Sequence, residues 1–116
     1  VYEVLWQATE IGINAAIPGA TTFDVFNAMN KVISEMSVAG NNVGRLGHGL
    51  GLQLTEPPSH RDNDKTVIKE NMVLTIEPGL EYAPGKMIVH EENIIINKDG
   101  AELITKRAPK EIPIIK

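Results

Sequence analysis

Three acid–base side chains stand where the surrounding pattern calls for apolar residues. His48 lies among the leucines of the alternating run Leu46-Gly47-His48-Gly49-Leu50-Gly51-Leu52-Gln53-Leu54. Glu77 closes the apolar run Met72-Val73-Leu74-Thr75-Ile76, directly before Pro78-Gly79. Glu91 shares a strand face with Met87 and Val89. A carboxylate buried without a partner is costly, so residues placed this way are normally paired or metal-bound. One imidazole and two carboxylates suit a divalent ion of the Mn, Co, Fe or Zn type.

Each residue also has a plainer reading. A strand histidine can be a hydrogen-bonded core or edge residue. A glutamate before Pro-Gly can be a solvent-facing strand end. Adjacent Glu91 and Glu92 point to opposite sides of a strand, so at least one of them faces water. His60 falls in a polar loop and His90 reads as a surface neighbour of the site, so both rank below His48 as ligands.

These side chains need elements to position them. Val1 to Ile17 reads as a helix, with Val4, Leu5, Ala8, Ile11 and Ala15 forming one apolar stripe and Pro18-Gly19 stopping it. It begins inside its own periodic pattern, which leads us to expect a preceding segment. Thr21 to Asp24 offers a hydroxyl cap with a carboxylate three residues on, opening a second helix. Phe26, Met29, Ile33 and Met36 line its face, and Gly40 with Asn41-Asn42 should end it. From Leu46 to Leu54 the period changes to two, the mark of a strand. Glycines at alternate positions suggest close approach of another backbone or a ligand. Glu56 to Asn71 is polar, contains Pro57-Pro58 and reads as a loop in which Asp62 and Asp64 are solvated. Met72 to Glu77 is a second strand and Lys86 to Asn97 a third. Lys98-Asp99-Gly100 is a hairpin signal that returns Ala101 to Thr105 as a fourth. The tail from Lys106 should run along the surface. Two helices followed by a mainly antiparallel sheet make an α+β unit.

The 116 residues suffice for one core, and 42% hydrophobic with 22% charged residues is ordinary for a globular protein. A net charge of −4, with basic residues scattered, argues against a nucleic-acid partner. No apolar run approaches the ~20 residues of a membrane helix, and no signal peptide is recognisable. The absence of cysteine excludes thiol catalysis and a Cys-ligated zinc, and fits a cytoplasmic location.

Gly47-His48-Gly49-Leu50-Gly51-Leu52, Thr75-Ile76-Glu77-Pro78-Gly79 and Val89-His90-Glu91-Glu92-Asn93 occur in that order, with Glu77 29 residues after His48 and Glu91 14 after Glu77. The set resembles the pita-bread metallopeptidase family, which includes Xaa-Pro aminopeptidase, Xaa-Pro dipeptidase (prolidase) and methionine aminopeptidase. The same scaffold serves creatinase and a lyase acting on dimethylsulfoniopropionate. The resemblance runs from the first helix to the Asp99-Gly100 hairpin. It implies a hydrolase with two divalent metals held by two aspartates, a histidine and two glutamates. His48, Glu77 and Glu91 match three of these five, and Glu92 is the alternative should the register slip by one. In the family a hydroxide between the metals attacks the scissile carbonyl, and the glutamate matching Glu77 shuttles its proton.

The family's two aspartate ligands lie upstream of the first helix. Asp24, Asp62 and Asp64 do not match them. The resemblance therefore implies that residues 1–116 are the C-terminal half of a pita-bread catalytic domain, inactive alone and binding metal weakly or not at all. Thr55, in Thr55-Glu56-Pro57-Pro58, stands where prolidases carry a substrate-binding histidine, and Val89 where an arginine is common. Thr55 and Glu56 are the candidate substrate contacts. The change at Thr55 leaves open a lyase-like or creatinase-like branch and a non-catalytic binding module. Asn71 replaces a frequent glycine but tolerates the same left-handed turn. Relatives are often dimers, so a homodimer is expected, with a peptide or small molecule as substrate.

Overall fold

The computed structural model describes residues 1–36 and 44–116. Helices α1 (Tyr2–Ala15) and α2 (Thr22–Ser34) come first. Among the described residues the strands are β1 (His48–Gly49), β2 (Glu56–Ser59), β3 (Val73–Ile76), β4 (Gly79–Ala83), β5 (Lys86–Val89), β6 (Glu92–Asn97) and β7 (Gly100–Leu103). A five-stranded sheet has the order β2-β1-β3-β6-β7, and β4 pairs with β5 as a separate ribbon. Every pairing is antiparallel, as the α+β reading expects.

The helices cover one face of the sheet. Leu5, Met29 and Ile33 from the helices meet Leu74, Ile76 and Ile94 from β3 and β6, all fully buried. Each such side chain contributes roughly 1.5–3 kcal/mol. The buried stripe of α1 is Leu5, Ala8, Thr9 and Gly12, rotated from the expected one. Gly12 explains the rotation. A Cβ there would lie 2.6 Å from Met29 Sδ and 2.9 Å from Ile76 Cγ2, so bare helix backbone lies against α2 and β3. Ile11 is carried outward and is 37% exposed.

The α2 cap is as expected. The Thr21 hydroxyl accepts the Asp24 N–H at 3.1 Å, and the Asp24 carboxylate accepts the Thr21 N–H at 2.8 Å. Those bonds, the backbone one first, hold the Asp24 carboxyl below its usual range. Met29 and Ile33 are buried but Met36 is exposed, since α2 ends at Ser34. The expected stop at Gly40 and Asn41-Asn42 lies outside the described residues.

The long strand expected over Leu46 to Leu54 is confined to His48–Gly49. Leu50 donates its N–H to the Val73 carbonyl, where β3 begins, and beyond that point no strand among the described residues lies opposite. The chain bends back, leaving Leu52 and Leu54 exposed, and returns as β2. The strand in Glu56–Ser59 was hidden by Pro57-Pro58. It lies at the sheet edge, where proline's missing donor is tolerated. The expected third strand is two, β5 and β6, interrupted at His90-Glu91. Pro78-Gly79 marks the start of β4 as well as the end of β3. Asn71 adopts φ 73°, the left-handed turn its position requires.

Candidate functional site

The sheet's second face gathers the residues singled out by type. Gly49 pairs with Leu74, which sets His48 opposite Thr75. Thr75 pairs with Asn93, and Ile76 with Glu92. Beyond that ladder His90 donates its N–H to the Pro78 carbonyl at 3.0 Å, which sets Glu77 opposite Glu91. Residues directly opposite share a face, and so do residues two apart. His48, Thr75, Glu77, Glu91 and Asn93 thus occupy one face, away from the helices.

Local bonds fix the orientation of His48. Its N–H donates to Thr75 Oγ1 at 2.9 Å. Its Nδ1 lies 2.8 Å from the Gly49 carbonyl, an acceptor only, so Nδ1 carries the hydrogen. That leaves Nε2 directed at Glu77 Oε2, 3.4 Å away. A backbone carbonyl on the far nitrogen is the usual support for a ligating imidazole. Gly47 allows the approach behind it. At φ 141° its Cα faces the Thr75 carbonyl, and a Cβ there would overlap that oxygen.

Glu91 is exposed, and so are Met87 and Val89, so the face it was expected to share with them is open to solvent rather than packed. The buried member of the pair is Glu92, 2% exposed on the helix side. His90 is buried rather than superficial. Tyr2 meets its ring edge-on with centroids 4.4 Å apart, and burial, then Arg107, pushes its pKa down. His60 is fully buried behind β1, although its loop is polar, because the chain there pairs with Leu46 and Gly47. Burial pushes its pKa down to about 4 against upward pulls from the Thr75 backbone and Asp64.

Asp64 is not simply solvated. It accepts the N–H groups of Ser59 and Thr66 and the hydroxyls of Thr22 and Thr66. Desolvation raises its pKa, but these bonds, led by the Thr66 hydroxyl, outweigh it and bring the value to about 2. Asp64 is thus a loop staple, and Asp62 is exposed. Thr55 is exposed in the bend between β1 and β2, and Glu56 accepts the Gln53 N–H at 3.3 Å. Two residues received no role from sequence reasoning. Thr75 seats His48, and Asn93 holds a buried, unbonded Oδ1 on the same face. The signal for both was strand register, invisible until the pairing is known.

The face carries one imidazole and two carboxylates. Like charges directly opposite across strands repel unless a cation intervenes. Glu77 and Glu91 are so opposed, and Glu91 makes no hydrogen bond or ion pair among the described residues. The His48 nitrogen and Glu77 oxygen suit a divalent ion of the imidazole- and carboxylate-binding type. Among the described residues no three His, Cys, Asp or Glu side chains converge closely enough to hold one. The donors fit in kind and fall short in number.

Comparison with known proteins identifies the family. The model of metallopeptidase family M24 matches residues 1–98. The Xaa-Pro dipeptidase of Pyrococcus furiosus is 34% identical over 106 residues, spanning 91% of this chain and 30% of the relative. The Xaa-Pro dipeptidase of Lactobacillus delbrueckii subsp. lactis is 34% identical over 116 residues, spanning 99% and 31%. The solved prolidase from Pyrococcus furiosus superimposes with a TM-score of 0.86 at 34% identity, over 94% of this chain and 32% of that one. The chain thus spans about a third of the length of the relatives it matches. It is a member of metallopeptidase family M24, with the two helices and antiparallel sheet of the prolidase fold.

Proposed function

We propose that this chain is the C-terminal part of the catalytic unit of an Xaa-Pro dipeptidase-like metallohydrolase. The observation that carries the reading is one face presenting His48 Nε2 beside Glu77 Oε2, with Glu91 across from Glu77. His48, Glu77 and Glu91 are three of five ligands to two divalent ions of the Mn, Co, Fe or Zn group, and two aspartates outside this chain complete the set. When bound, such ions supply a water of lowered pKa and polarise a peptide carbonyl.

The chain's own residues orient and move protons. Thr75 and the Gly49 carbonyl hold His48 in one tautomer and direction. Glu77 Oε2 is the atom placed to take and return a proton. Thr55, in the bend between β1 and β2, and Glu56, which opens β2, contact the peptide substrate, and the protein works as a cytoplasmic homodimer. Among the described residues no helix is long and apolar enough to cross a membrane.

Titrating the chain with Mn(II) or Co(II) by calorimetry tests the incompleteness, and tight two-metal binding would refute it. In the full-length protein, hydrolysis of Xaa-Pro dipeptides should be lost in His48→Ala. An unchanged rate would refute the ligand assignment. Thr55, where an imidazole is usual, favours a second reading: a lyase-like or creatinase-like member of the same fold. Turnover of dimethylsulfoniopropionate or creatine with none of Xaa-Pro dipeptides would establish it. A binding module is the remaining alternative, and a parent sequence without the paired aspartates would favour it.

A further inference from the structure

The match to the family model ends at residue 98, yet the chain beyond it packs behind the face that carries His48, Glu77 and Glu91. Glu92 Oε2 accepts the Thr105 hydroxyl at 2.5 Å, and Oε1 accepts the Ala108 N–H at 2.8 Å with Arg107 Nη1 at 3.7 Å. Arg107 also donates to Glu10 Oε1 and to the Trp6 carbonyl, both at 2.9 Å, with its guanidinium 4.4 Å from the Trp6 ring centre. The Ala108 carbonyl accepts Trp6 Nε1 at 2.8 Å, and the Pro109 carbonyl accepts the Tyr2 hydroxyl at 2.7 Å. Residues 105–109 are a strap tying α1 to the start of β6.

We infer that this strap is a register lock for Glu91, with Glu92 and Arg107 as positioning residues. Two adjacent glutamates open β6. Strand alternation gives one to the helix side and the other to the open face, and a slip of one residue would exchange them. A buried carboxylate is tolerated only where partners wait for it. The Thr105 hydroxyl, the Ala108 N–H and Arg107 are those partners, and they stand on the helix side alone. The strap therefore takes Glu92 and leaves Glu91 for the open face. Its effect on function rests on the reading of Glu91 as a metal ligand. The lock itself rests on the bonds above.

The test uses Co(II) binding to the full-length protein, read by visible absorption, with thermal midpoints measured alongside. Glu92→Ala and Arg107→Ala should each weaken Co(II) by about 10- to 100-fold, as loss of a ligand's supporting contacts does, and alter the spectrum. Glu92→Gln keeps the shape and one of the two acceptors, taking the Ala108 N–H through Oε1 and turning its amide N–H toward the Thr105 hydroxyl oxygen, and should weaken Co(II) less than Glu92→Ala. If Glu92→Ala fails to fold, Arg107→Lys, which keeps charge but loses the fork, should show the same weakening. Lower midpoints with unchanged affinity and spectrum would overturn the inference, leaving the strap a structural brace. If the wild type binds no Co(II), the metal reading fails by itself. Crystal structures of wild type and Arg107→Ala then decide the lock. A shifted β6 register supports it, and intact Ile76–Glu92 pairing overturns it.

Discussion

His60 couples the stability of this fold to pH. Its ring is fully buried, and among the described residues neither nitrogen makes a hydrogen bond of good geometry. Burial brings its pKa from 6.5 to about 4. The unfolded chain therefore binds more protons between those values, and stability falls as pH drops through that window. Full stabilisation holds above pH 6.5. By pH 4 the loss amounts to about 3 kcal/mol, from a shift of some 2.5 units at 1.36 kcal/mol per unit. The perturbation is His60→Phe, which keeps an apolar ring in the cavity and removes the titrating group. Urea unfolding of both proteins at pH 7, 5.5 and 4 isolates the effect, because His90 and the carboxylates cancel in the difference. The wild type should lose about 3 kcal/mol relative to the variant between pH 7 and 4. A difference that stays flat across that range would refute the claim that His60 is buried neutral.

Further predictions follow from other contacts. Asp64→Ala removes four hydrogen bonds to a carboxylate and should cost about 2 kcal/mol in urea unfolding. Because the folded pKa of Asp64 is depressed to about 2, its contribution is present above the ordinary 3.8 and lost as pH falls from there toward 2. The wild type's acid transition in that range should shrink in the variant. Gly47→Ala places a methyl against the Thr75 carbonyl at a left-handed φ and should cost about 3 kcal/mol or more in thermal or urea unfolding. Stability equal to wild type would mean that His48 is seated some other way.

The sequence was most legible where a single pattern acted alone. The Thr21–Asp24 capping box, the Lys98-Asp99-Gly100 turn and the left-handed Asn71 are local, and each stands as read. The motif residues His48 and Glu77 were legible as a pair because chemistry-bearing types broke an apolar pattern. What failed depended on partners far along the chain. The leucines at 52 and 54 alternate like a strand, but no strand among the described residues lies opposite them. Pro57-Pro58 argued for a loop, yet an edge position tolerates it. Strand alternation left open which of Glu91 and Glu92 is buried; it is Glu92, held by Thr105, Arg107 and Ala108 far along the chain. His60 falls in a polar stretch that reads as a loop and is buried by pairing with Leu46 and Gly47.

The central claim is that one sheet face supplies His48, Glu77 and Glu91 to a metal centre completed by donors from outside this chain. Anomalous diffraction from crystals of the full-length protein grown with Mn(II) tests it directly. The account predicts anomalous peaks bonded to His48 Nε2, Glu77 and Glu91, with two aspartates closing the shell. No peak at that face, or a metal held instead by Glu92, His60 or Asp64, would contradict it.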